Sequence, residues 1–143
     1  MELFQTMCGG NIGYIAGVLL MVAGLTLIIV FSLRPNRITV TRDSLTISGN
    51  YGYSVKSEDI QSVELLDKLP GITLKRNGIG WLNIKTGHFT VKGIGKCRLY
   101  VNKKYPPFVH IVTTSGEHVI FNTKDTVETK ALFETLMSSI QDF

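Results

Sequence analysis

With 143 residues, 15 Lys and Arg against 11 Asp and Glu, and two cysteines, the chain is mildly basic and short. Once a long apolar segment is set aside, about 105 residues remain, enough for one modest core and too few for two domains. Two cysteines supply neither a disulfide framework nor a zinc site.

Residues 1 to 8, MELFQTMC, read as a short N-terminal tail with one acid, Glu2, and no base. Residues 9 to 33, GGNIGYIAGVLLMVAGLTLIIVFSL, then run without a charged side chain. A helix rises about 1.5 Å per residue and the hydrocarbon core is about 30 Å thick, so roughly 20 apolar residues span it. This run predicts a transmembrane helix. A core helix of a soluble protein would carry a polar stripe, whereas Asn11, Tyr14, Thr26 and Ser32 share no continuous face. A cleaved signal peptide needs a basic leader, a shorter apolar core and a small-x-small step, none of which is present, and Cys8 precedes the segment that a lipidated cysteine would follow.

Orientation is read from the flanks. Arg34, Arg37 and Arg42 follow the run and nothing basic precedes it, and Lys- and Arg-rich flanks stay cytoplasmic. Residues 34 to 37 are thus expected to be a basic juxtamembrane linker. The expected protein is single-pass in the cell membrane, with its C-terminal domain in the cytoplasm. Within the run, Gly10, Gly17 and Gly24 recur seven apart and Gly13 adds a small-xxx-small step to Gly17. Those glycines form a candidate helix–helix face, with a homo-oligomer among the outcomes, or reflect the ordinary frequency of glycine in membrane helices.

From residue 38 to 143 the pattern is mainly β. In RITVTRDSLTIS, a two-residue turn at Arg42-Asp43 sets Val40 opposite Leu45 and Ile38 opposite Ile47. Further strand-like runs are YGYSVK, IQSVELL, GITLKR, GWLNIK, HFTVKG, CRLYVN, FVHIVTT and EHVIFN, a spacing typical of a small sandwich or barrel. Asn77-Gly78 and Ser115-Gly116 are the expected turns of two more hairpins, and the pairing is expected to be antiparallel throughout. Pro106 and Pro107 mark a loop. A helix over 126–141 closes the chain. Asp125 and Glu128 offer a carboxylate variant of the capping box, and Val127, Leu132, Leu136 and Ile140 form its expected buried stripe.

One apolar anchor, seven to nine short strands and a capped terminal helix resemble the bacterial pleckstrin-homology-like (PH) domain proteins. The resemblance covers residues 38 to 141 and rests on SLTISGNYGYSVKSEDIQSVELLDKLPGI, NGIGWLNIKTGHF and PPFVHIVTTSGEHVIFNTKD. It implies a strongly bent antiparallel β-sandwich or barrel, capped at one end by the C-terminal α-helix. Members that bind phosphoinositides carry several bases around the first hairpin loop; here that loop offers Arg42 beside Asp43, which argues against specific inositol phosphate recognition.

Catalytic signals are weak. With Ser115-Gly116 as a two-residue turn, Thr113 would face His118 and His110 would face Phe121, putting His110 and His118 on opposite sides of the sheet. They and His88 read as strand histidines. No nucleophile elbow or phosphate loop is recognisable, and no enzyme activity, cofactor or metal is expected. The glycines of GIGWLNIKTG read as turns or bulges that let a sheet bend. Residues 68 to 104 hold nine Lys and Arg and no acid. Of these, Lys75, Arg76, Lys85, Lys92, Lys96, Arg98, Lys103 and Lys104 are candidate contacts for anionic lipid or a protein partner. Nucleic acid is disfavoured, since Trp81, Phe89 and Tyr100 are too few for a stacking platform. The leading expectation is a membrane-held, non-catalytic protein-binding or assembly module; the alternative is a sensor of anionic membrane lipid through a basic face.

Overall fold

The computed structural model describes residues 2–32 and 36–141, which fall into two compact units divided at Pro35. Leu33, Arg34 and Pro35, and with them half of the expected linker, lie outside the described residues. The first unit is one helix, α1 (Glu2–Ser32), of which Asn11–Ser32 is long and apolar enough to cross a membrane. The expected tail is itself helical from Glu2, as ELFQTMC contains no Gly or Pro to stop a helix.

The second unit holds nine strands in two sheets. β1 (Arg37–Val40), β2 (Ser44–Ser48) and β3 (Tyr53–Lys56) form a three-stranded antiparallel meander. Its first hairpin has the expected register, Ile38 opposite Ile47 and Val40 opposite Leu45, and Leu45 and Ile47 are buried. The larger sheet runs in the order β4 (Ile60–Leu66), β8 (Phe108–Thr113), β9 (His118–Phe121), β7 (Gly95–Asn102), β6 (Ile84–Val91), β5 (Ile72–Trp81). α2 (Thr126–Gln141) follows over the expected residues.

Three expectations of pairing are corrected. Asn77-Gly78 is not a turn: β5 runs through it, and the hairpin turns at Leu82-Asn83, with Trp81 opposite Ile84. Gly78 instead lies opposite Gly87 where the two backbones approach closely; a Cβ on Gly87 would stand 2.5 Å from the Asn77 carbonyl oxygen. The two register shifts of this hairpin, at Ile72/Leu74 and Lys75/Asn77, lie ahead of the glycines on β5, and the pairing through Gly78, Gly80 and Gly87 is continuous. Next, the loop between β8 and β9 has three residues, not two. Thr113 and Glu117 close it, and Gly116 takes the left-handed conformation (φ 90°). The register moves by one, so His110 lies opposite Ile120 and Val112 opposite His118. Finally, β9 pairs with β7 in parallel. The Lys103–Pro107 loop, with its cis Pro106-Pro107 bond, carries the chain one strand position past β7, and β9 returns into the gap.

The large sheet is buried on both faces. On one, Val109, Ile111, Val119 and Phe121 pack with Leu45 and Ile47 of the small sheet and with Leu136 of α2. On the other, Phe89, Val91, Leu99, Phe108 and Ile120 pack with Leu69, Ile72 and Ile94. Leu136 is fully buried and Leu132 and Ile140 partly so, but Val127, the second residue of α2, is 73% exposed and ahead of the residues that dock. Asp125 caps the helix by accepting the Val127 N–H at 2.9 Å. The partner across the cap is Thr129, whose Oγ1 accepts the Thr123 N–H at 3.0 Å; Glu128, expected in that role, is exposed.

Candidate binding surfaces

Two kinds of surface emerge from this architecture: a cleft beside an open strand edge, and a set of cations distributed over the large sheet. β3 is the last strand of its sheet, so one of its edges has no strand partner. All four of its residues, Tyr53 to Lys56, line a cleft of about 570 Å³ whose opposite wall is the β8–β9 turn, Thr113 to Ser115 with Glu117. Unpaired edge N–H and C=O groups beside a cleft can accept an extended chain as a further strand. The side of the cleft toward β7 is fixed by polar bonds between the sheets. The Tyr53 hydroxyl donates to Glu117 Oε2 at 3.1 Å, and the Arg98 guanidinium stands 4.9 Å from the centre of the Tyr53 ring. Burial and the Glu117 carboxylate both hold the Tyr53 hydroxyl protonated, well above the usual tyrosine range. Further along, the Tyr100 hydroxyl donates to the Tyr51 carbonyl and the Tyr51 hydroxyl to Asn77 Oδ1.

The one-residue change of register places His110 and His118 on the same face. Nε2 of His110 and Nδ1 of His118 are 3.0 Å apart, the rings stack, and Glu64 Oε2 lies 3.6 Å from the other nitrogen of His110. Burial and then the neighbouring imidazole lower the pKa of His110, while Glu64 opposes them. His88 lies apart from this pair, beside Tyr51, and its pKa is lowered by burial, then by Arg98 and Arg76. Cys97 is buried, which pushes its thiol up to about 12 and leaves it un-ionised and unreactive at neutral pH. Among the described residues no group of three or more His, Cys, Asp or Glu is placed to hold a metal ion.

The basic run is distributed over several elements. Lys75 and Arg76 are exposed on the edge strand β5, Lys92 and Lys96 flank the β6–β7 turn, and Lys85, Lys103 and Lys104 belong to the opposite end of the hairpins. There the Lys103 N–H donates to the Asn83 carbonyl at 2.9 Å, joining the β7–β8 loop to the β5–β6 turn. Arg98 turns inward onto Tyr53 and is part of the inter-sheet brace. A smaller cleft, of about 250 Å³, lies between Lys68 and Lys103, with Asp67 on its wall. In α1 a Cβ on Gly13, Gly17 or Gly24 would meet nothing within 4 Å; Gly10 is helical, but its surroundings are not among those described. Sequence reasoning missed the β3 cleft, since an edge strand is defined by what fails to pair with it.

Residues 36–134 match the family model described as Bacterial PH domain. No curated protein and no solved structure matches the chain significantly.

Proposed function

The chain belongs to the bacterial PH domain family, and from that footing we propose that it is a single-pass membrane protein holding its PH-like domain in the cytoplasm as a non-catalytic docking module for a protein partner. The observation that carries this reading is the open edge of β3 along a cleft of about 570 Å³. An extended segment of a partner would add to β3 through main-chain hydrogen bonds, and the wall from Thr113 to Glu117 would read its side chains. A non-catalytic role is supported by how the converging polar groups are used: Tyr51, Tyr53, Arg98 and Glu117 are engaged with one another or with backbone. The cytoplasmic side is supported by the arginines that follow the apolar run. A lipid sensor working through one basic face is less well supported, because the cations are spread over the edge strand β5 and both ends of β6, with Arg98 turned onto Tyr53.

Photo-crosslinking in native membranes tests the module. A photoreactive residue at Ser54 or Thr114 of the full chain should give the same adduct, and one at Thr39, on the first strand, should give none. Adducts of equal yield from all three positions, or from none, would remove the β3 edge as the docking site. A C-terminal reporter found outside the cytoplasm would overturn the orientation.

A further inference from the structure

The turn between β5 and β6 carries a side chain that the fold does not use. Leu82 occupies the first of its two turn positions with φ 50° and is 80% exposed. A left-handed residue in a two-residue hairpin turn is ordinarily Gly, Asn or Asp. Leucine there strains the backbone and leaves an apolar side chain in water, and it packs in neither core cluster. The surroundings are cationic. Lys85 lies at the base of the turn, its side chain across Gly80, where an added Cβ would come within 3.3 Å of Nζ. Lys103 and Lys104 are exposed on the loop bonded to Asn83. The nearest acid in the chain order is Asp67, which lines the small cleft with Lys103.

We propose that the β5–β6 turn is a contact point for an anionic bilayer surface, with Leu82 entering the boundary between headgroups and acyl chains and Lys85, Lys103 and Lys104 meeting lipid phosphates. Neither half suffices alone. One leucine removes little surface from water, and exposed cations are screened beyond about 8 Å at physiological salt; an apolar prong ringed by lysines combines both, as interfacial anchors do. A bilayer fits this better than an acidic protein, because a single leucine among long, flexible cations presents no fixed relief for a rigid pocket to match. The contact is independent of the β3 cleft.

Trp81, the single tryptophan of the chain and the residue before Leu82, serves as the probe. The full chain would be reconstituted in phosphatidylcholine bilayers with and without phosphatidylglycerol, using lipids brominated on the acyl chains. Trp81 emission should be blue-shifted and quenched only in the anionic bilayer, and high salt should reverse this. Leu82→Asn should weaken the contact about tenfold, from the loss of one buried leucine, while raising the thermal midpoint of the protein, because asparagine suits the left-handed turn. The triple variant K85Q/K103Q/K104Q should lose the difference between the two bilayers. Quenching that is equal in both bilayers or absent from both, or a Leu82→Asn protein that keeps the contact, would overturn the proposal.

Discussion

In α1, Leu19, Leu20, Met21 and Leu27 are all more than half exposed, whereas Leu45, Leu99 and Leu136 of the β unit are fully buried. The glycines differ in the same sense: Gly17 has open space where a side chain would go, and Gly87 has backbone. The comparison teaches that residue type alone does not say what a residue is for. In the β unit apolar side chains hold the chain to itself. In α1 they face outward, which suits a helix whose solvent is lipid.

The sharpest way to break the comparison is to add side chains to the two kinds of glycine. Gly87→Val puts a branched side chain at φ 122° against the Asn77 backbone and should cost more than about 4 kcal/mol, detected as loss of the cooperative unfolding transition. A folded, cooperatively unfolding Gly87→Val protein would show that the close approach is dispensable. Next in size is Leu136→Ala, which empties a fully buried site and should cost about 2 to 5 kcal/mol in denaturant titration, whereas Val127→Ala on the same helix should stay within about 0.5 kcal/mol. Equal losses would mean that α2 docks by a different face.

A smaller effect is expected from pH. The unfolded chain takes up a proton on His110 near the usual pKa of about 6.5, and the folded chain does so only at lower pH. The stability that depends on a neutral His110 is therefore complete above about pH 6.5 and declines as pH falls below that value. The thermal midpoint should drop between about pH 7.5 and pH 5.5, and His110→Gln should drop less; equal drops would assign the effect to other groups. Smallest of all, Gly17→Ile should leave unfolding of the β unit unchanged within about 0.5 kcal/mol. If the glycines of α1 form a helix–helix face, the same substitution should lower detergent-resistant association; unaltered association would make them ordinary membrane-helix glycines.

Elements governed by local chemistry were legible in the sequence. The β1–β2 register follows from paired aliphatic residues on either side of Arg42-Asp43, and the α2 boundaries follow from Asp125 and the helical period of its apolar residues. What the sequence concealed depends on partners distant along the chain. Asn77-Gly78 carries the stronger turn signal, yet the turn falls at Leu82-Asn83, because Gly78 is needed for its approach to Gly87. The His110–His118 contact hung on one extra loop residue, which reverses the face of every side chain beyond it. Of the cations that read as one run, Lys85 stands near the start of β6 and Lys92 just beyond its end, a separation that sequence proximity hides.

The insertion of β9 between β7 and β8 has a consequence for the order of biosynthesis. Until residues 118 to 121 leave the ribosome, the large sheet exists only as two separate pieces, β4 with β8 and β5 with β6 and β7. α1 is translated before the strands, and the strand that joins those pieces comes after the other eight, so the nascent domain carries unpaired edges while they are already made. A stop codon between Thr113 and Phe121 would therefore release a helix followed by open half-sheets, a product suited to aggregation or quality-control proteolysis instead of a smaller working protein.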